Sequence, residues 1–444
     1  MFTRRRFLGY TALTPAMLAY RPLLRSGFAQ APTDPSSPPI RLAVIGTSYH
    51  YGSAMQTIAD RFLIGYPHEG DWHMPNVKIV SLYLDRVPHS GEGVHGVVDT
   101  TPPDRADLSQ GRAQEFGFQM YNNIPEALRC GGSKLAVDGV VCIIEQGDYQ
   151  RNDREQILYP RFDFFQQCVQ VFDDEKRSVP YFNYDSLSFS FPEAKSMVAT
   201  AERMKFPLLA GSWMPVTYRI PDTDIPLGAQ IEEAVMVGLG GLDGMDFDAL
   251  EAMQCMLERR KGGETGVKAV QLLEGDNVWA AGESGRWSKE LLSSALSRSD
   301  AIQGLTAMDG RPQDPVAAGV LPQLVKNPSA YCIEYNDGTR ATMLMLDGAN
   351  RDFVFSAKVG GEGLIATQFF RSPTPNVTYS ACLTAKIEEM LTTREAPYTA
   401  HRTLLTSGML EACLNSRAHL NQRMETPHLN VTYEPRAEPQ YTRA

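Results

Sequence analysis

Two polar clusters in this chain carry residue types able to do chemistry at the end of a strand. The first is Gly46-Thr47-Ser48-Tyr49-His50-Tyr51-Gly52, a hydroxyl-rich turn bracketed by glycines. Backbone N–H groups in such a turn, with the start of a following helix, suit an anion and above all a phosphate. The second is Glu145-Gln146-Gly147-Asp148-Tyr149, which brings two carboxylates and a phenol together after an apolar run. A polar cluster in that place is where an open α/β sheet holds a ligand.

The elements that must position these clusters alternate between strand and helix. Ile40 to Ile45 is an apolar run ended by Gly46, and a helix follows from about Ser53 with Met55, Ile58, Ala59, Phe62 and Leu63 on one face. Strand, glycine, loop and helix open a nucleotide-binding βαβ unit. Val77 to Leu84 reads as a second strand closed by Asp85, and Val137 to Ile144 as a central strand whose carboxyl end holds Glu145. A long helix follows through Phe164, Phe165, Cys168 and Phe172. Ser190-Phe191-Pro192-Glu193 has the form of a capping box, opening the helix before the strand Pro207 to Gly211. Open α/β sheets place ligands at the carboxyl ends of such strands. After about Trp213 the texture changes. A helix from Asp246 to Arg260, with Phe247, Leu250, Met253 and Leu257 as its buried stripe, precedes several strands, and Asn336-Asp337-Gly338-Thr339 marks a hairpin. The fold class is therefore α/β: an N-terminal Rossmann domain, then an α+β domain with a mainly antiparallel open sheet.

The N-terminus reads as an address. Thr3-Arg4-Arg5-Arg6-Phe7-Leu8, an apolar run and Ala29-Gln30-Ala31 form a twin-arginine export signal with a cleavage site. The division is residues 1–31 as signal peptide, 32–39 as a Pro- and Ser-rich linker, 40–213 as the Rossmann domain, 214–424 as the α+β domain and 425–444 as an extended tail. Localisation is then periplasmic or otherwise outside the cytoplasm, with the twin-arginine translocase as export partner. Five of the 42 basic residues lie in the leader, so 413 mature residues carry 37 basic and 52 acidic side chains, a formal charge of −15. That balance disfavours nucleic acid and anionic membrane as partners. No later apolar run is long enough for a membrane anchor. Seven scattered cysteines without C-x-x-C pairs read as buried free thiols, and no histidine spacing suggests a metal.

A nucleotide-binding half followed by an antiparallel-sheet half resembles the glucose–fructose oxidoreductase / inositol dehydrogenase family (Gfo/Idh/MocA). The resemblance rests on Ile40 to Gly46, Arg112-Ala113-Gln114-Glu115-Phe116-Gly117 with Glu126-Ala127-Leu128, Asp138 to Ile143, Pro180 through Gly211, and Arg402-Thr403-Leu404-Leu405. Tyr159-Pro160-Arg161, Phe182-Asn183, Pro215-Val216-Thr217 and Arg259 to Gly266 look like its twin-arginine-exported branch. The resemblance implies an oxidoreductase holding NAD or NADP tightly, a carbohydrate-like substrate (a sugar, cyclitol or polyol) and a homo-oligomer paired through the broad second sheet. It implies cofactor contacts from Gly46, Thr47, Ser48, Gly52, Asp85 and Glu145. Asp85 would read the adenosine ribose and repel a 2′-phosphate, which favours NAD. Substrate contacts would come from Asp148, Tyr149, Asn152 and Arg219.

The departures from the family pattern concern the chemistry. Ser48 stands where the second glycine of G-x-G belongs. The family's lysine falls near Asn183-Tyr184-Asp185, where there is none, and Asp248 stands where relatives place histidine. The acid–base candidates are therefore Asp185, Asp248 and Tyr184. Two carboxylates facing one pocket transfer protons or bind a divalent cation. Asp248 also suits the first turn of a helix through the dipole alone, Asp185 also suits a turn, and Arg259-Arg260-Lys261 suits a basic helix end. Two other readings stay open: a family-fold envelope protein that binds glycan or serves structurally without hydride chemistry, and a metal-dependent lyase or isomerase using Asp185 and Asp248.

Overall fold

Four successive buried apolar side chains, Leu42 to Ile45, make β1 (Ile40–Gly46) a strand covered on both faces. In chain order there follow α1 (Ala54–Ile64), a hairpin of β2 (Tyr66–His68) and β3 (Asp71–His73), β4 (Val77–Leu84), α2 (Ser109–Phe116), β5 (Gln119–Tyr121), α3 (Ile124–Arg129), β6 (Gly139–Ile143), α4 (Arg161–Asp174), β7 (Tyr181–Tyr184), α5 (Phe191–Met204) and β8 (Leu208–Gly211). The structure is a computed structural model describing residues 37–85, 107–300, 314–373 and 378–443. The export signal and most of the linker lie outside the described residues. All that follows concerns the unit Pro38–Ala444.

The six main strands form one parallel sheet in the order β5-β4-β1-β6-β7-β8. Chain direction across the sheet reverses between β1 and β6, and at that switch point the two flanking loops diverge and leave a crevice. The β2–β3 hairpin was not anticipated. It is held from outside its own sequence, where Glu388 accepts from Tyr66 Oη at 2.6 Å and meets His73 Nε2 at 2.9 Å.

The second sheet contains β9 (Arg219–Ile220), β10 (Ile231–Gly238), β11 (Val267–Glu274), β12 (Ser329–Tyr335), β13 (Arg340–Met345), β14 (Phe353–Val359), β15 (Gly363–Phe369) and β16 (Met424–Glu425), in the order β16-β11-β12-β13-β10-β14-β15-β9. Every pairing is antiparallel except β10 with β13. The predicted hairpin joins β12 to β13, with Gly338 at a φ of 91°. The helices are α6 (Met245–Leu257), α7 (Asp276–Glu283), α8 (Lys289–Leu296), α9 (Leu321–Leu324), α10 (Thr378–Thr393) and α11 (His401–Ala418). Among the described residues no helix is long and apolar enough to cross a membrane.

Both faces of the second sheet are covered. The first carries α6 and α11, and α11 also packs on α5, tying the two sheets together. The second face carries Val235, Val237, Leu344 and Val354, which pack with Trp287, Leu291 and Leu292 of the α7–α8 segment. The seven cysteines are free, and all but Cys130 are buried.

Three local expectations need correction. Ser190 makes no side-chain cap bond, and the Phe191 N–H donates instead to Glu411 Oε2 at 2.7 Å, so the cap of α5 comes from α11. Arg259 and Arg260 are not a solvated helix end. Arg260 is buried between Glu264 (2.9 Å) and Asp337 (2.6 Å), and Arg259 reaches Asp224 at 3.1 Å. Finally, α6 does not bury a single stripe: every residue of it is buried except Asp248. A helix buried on every side lies between two layers, and its buried polar side chains Asp246 and Gln254 are accordingly hydrogen-bonded.

Candidate active site

The turn after β1 is drawn tight by Gly46. A Cβ there would lie 2.2 Å from Met55 Cε and 2.4 Å from the Ile143 carbonyl oxygen. Only glycine lets α1 and β6 approach this closely. Gly52, at a φ of 78°, returns the chain to α1. The turn is largely self-capped. Ser53 Oγ accepts from the N–H groups of Gln56 (3.1 Å) and His50 (3.2 Å), and the Gly52 N–H donates to Gln56 Oε1 at 3.2 Å. Tyr49 turns inward and donates to Asp60 at 2.5 Å, where Arg112 also binds. Thr47 Oγ1 donates across the switch point to the Glu145 carbonyl oxygen at 2.8 Å. Ser48 differs from its neighbours, because its hydroxyl is buried and has no hydrogen-bond partner. An unsatisfied buried hydroxyl costs on the order of 1–3 kcal/mol. Its position beside the α1 N-terminus fits an external acceptor such as a phosphate oxygen.

Asp85 follows β4. Its N–H donates to the Gly46 carbonyl at 2.9 Å, and its Oδ2 accepts from Tyr149 Oη at 2.8 Å. Tyr149 packs edge-on against Tyr159 with ring centroids 5.4 Å apart, and Tyr159 Oη accepts from the Gln146 N–H at 3.0 Å.

The acid–base candidates gather at the carboxyl ends of β6 and β7. Asp185, at a φ of 66°, accepts from Arg161 Nη2 at 2.8 Å. The buried Arg161 also donates to Ser186 Oγ (2.8 Å) and to the Ile144 carbonyl (3.0 Å), and its guanidinium lies 4.8 Å from the Tyr159 ring centre. Burial, then the Asp185 charge, push Glu145 up to about 7, with Arg161 opposing. Burial and then Asp185 also raise Asp248, Glu145 adding to the rise while Ser212 and Arg371 oppose it. Burial, Glu145, Asp248 and Asp185 raise Tyr184, so its phenol keeps its proton. Glu145, Tyr184, Asp185 and Asp248 therefore feel one another and form one electrostatic unit. Asp248 lies in the first turn of α6, as the dipole reading expects, and near it Asp246 accepts from the N–H groups of Asp243, Gly244 and Phe247.

Other predicted contacts lie elsewhere. Arg219 is buried, pairs with Asp224 at 2.6 Å and sits 4.0 Å from the Tyr441 ring centre. It pins the C-terminal tail to the second domain and offers nothing to a substrate. Asn152 spends its carbonyl on the N–H groups of Arg154 and Gln156 and so shapes its own loop. Asp148 is exposed. Sequence reasoning missed Arg161, Tyr159, Ser212, Arg371 and Tyr379, whose phenol is raised by burial and, against Arg371, by Glu145 and Asp248. The Tyr159-Pro160-Arg161 triplet was in view, but nothing in sequence spacing places α4 against β7. Among the described residues no group of three or more His, Cys, Asp or Glu is arranged to hold a metal ion. A cavity of about 340 Å³ lined by Gly262, Glu264, Thr265, Thr432, Tyr433 and Glu434 shares no residue with this cluster.

No known family's sequence profile matches the chain, and no curated protein does. Solved structures do. GenD2 from gentamicin A biosynthesis, in complex with NAD, is 14% identical, with a TM-score of 0.52 over 88% of this chain and 97% of its own. The chain has the Gfo/Idh/MocA fold. Myo-inositol dehydrogenase from Lactobacillus casei, in complex with NAD(H) and myo-inositol, is 10% identical, with a TM-score of 0.50 over 87% of this chain and 96% of its own. At such identities the Gfo/Idh/MocA likeness is one of fold, and the chemistry rests on this chain's own residues.

Proposed function

We propose that the protein is an oxidoreductase that passes a hydride between a nicotinamide dinucleotide and a carbinol carbon of a sugar, cyclitol or other polyol. The observation that carries this reading is the cluster of Glu145, Tyr184, Asp185 and Asp248 at the carboxyl edge of β6 and β7, beside the Ser48 turn. The bound dinucleotide supplies the hydride acceptor. Ser48 and the start of α1 would hold its diphosphate and Asp85 its ribose, which favours NAD over NADP. Glu145, poised near 7, takes the hydroxyl proton as the carbinol becomes a carbonyl, and returns it in the reverse direction. Asp185, held by Arg161, sets the local charge, and Tyr184 donates a hydrogen bond to the substrate oxygen. The twin-arginine leader makes this an exported enzyme. A tightly held cofactor suits a compartment poor in free nucleotide.

A second reading is an envelope protein of this fold that binds glycan without redox chemistry. The self-capped turn and the absence of a lysine at Tyr184 favour it. One experiment separates the two. Polyols deuterated at each carbinol carbon are incubated with the exported protein, and deuterium is sought in the nucleotide released on denaturation. Transfer supports the oxidoreductase. Glycan binding with no nucleotide and no transfer contradicts it.

A further inference from the structure

The Tyr149–Asp85 hydrogen bond stands in the path of a dinucleotide. Asp85 ends β4, Tyr149 follows β6, and β1 lies between those strands. A bond of 2.8 Å between the two side chains therefore spans the carboxyl end of β1, in front of Gly46 and Thr47. A dinucleotide bound at the switch point extends along that same line, from β4 to β6. The phenol also occupies the carboxylate that would read the ribose. The arrangement is built rather than incidental. Tyr159 braces the Tyr149 ring edge-on, the Gln146 N–H fixes the Tyr159 hydroxyl, and Gly147 at a φ of 120° lets the chain fold back against Tyr149, since a Cβ there would lie 2.8 Å from the Tyr149 ring.

We infer that Tyr149 is a latch: in the free protein its hydroxyl holds Asp85 and closes the crevice, and a dinucleotide enters only when the latch swings out. The inference rests on the dinucleotide reading above and deepens it by naming what governs entry. Affinity for a ligand falls by the fraction of molecules that are open. Removing the hydroxyl while keeping the ring raises that fraction.

The test is Tyr149→Phe in the mature exported protein, stripped beforehand of any nucleotide it carries. NADH association is followed by stopped-flow energy transfer from protein to nicotinamide, and amide exchange over residues 145–152 is followed in the free protein. The variant is expected to bind NADH about tenfold faster and correspondingly tighter, with about tenfold faster exchange in that loop, as the loss of a hydrogen bond to a charged group implies. Binding by the wild type with no change of rate in the variant would overturn the latch and leave the dinucleotide reading standing. Weaker binding in the variant would make Tyr149 a ligand contact and also overturn the latch. No binding by either protein would overturn both.

Discussion

Replacing Glu145 with glutamine keeps the shape of the side chain and removes its charge. Burial first, and the neighbouring Asp185 second, move this carboxyl from its ordinary value of 4.5 to about 7. A carboxyl whose acidity is weakened by folding holds its proton more tightly in the folded chain than in the unfolded one. Stability is therefore greatest below about 4.5, declines as pH rises through 7, and is lowest above it. At about 1.36 kcal/mol for each tenfold change in acidity, the full effect is about 3.4 kcal/mol. Partial solvent access at Glu145 screens this to roughly 1–3 kcal/mol. Glu145→Gln cannot ionise, so its advantage over the wild type grows with pH by that amount. Urea unfolding of both proteins between pH 5 and pH 8.5 measures the difference. A constant difference across that range would refute the claim that Glu145 is held protonated by its surroundings.

Glu145→Gln is also expected to lower turnover by about 10²–10⁴, since it removes the group that takes the hydroxyl proton; unchanged turnover would take Glu145 out of the acid–base role. Arg161→Met leaves Asp185 uncompensated in a half-buried site and should cost about 3–5 kcal/mol of stability, partly recovered when Asp185→Asn is added; denaturant midpoints of the four proteins give the coupling. Removal of one partner from the buried Arg402–Glu258 pair, by Arg402→Met, should cost a similar 3–5 kcal/mol, and a loss below 1 kcal/mol would mean that water reaches the pair.

The parallel sheet was legible because buried strands and helices alternate with little ambiguity: Leu42 to Ile45 and Val140 to Ile143 have no other plausible place. The NDGT hairpin was legible because its turn demands those residues. The α7–α8 cover was not, since its apolar positions gain meaning only against Val235 and Leu344 of distant strands. The site divides in the same way. Glu145 could be placed because it follows a strand whose carboxyl end holds ligands, and Asp185 because the family resemblance aligns a lysine there. Arg219 was misplaced because its partners, Asp224 and Tyr441, come together only when the tail folds back. The cation of the site was sought at β7, where the fold pattern suggested a lysine, yet it arrives from α4 as Arg161. Long-range packing supplied what local sequence does not encode.

The most direct measurement is the nucleotide content of the protein recovered through its own export route. Acid release followed by mass analysis should yield about one nicotinamide dinucleotide per chain, with Ser48→Val recovering much less. A protein recovered empty, and unable to take up NAD(H) or NADP(H) when titrated, would mean that the Ser48 corner never holds a diphosphate and would contradict the account.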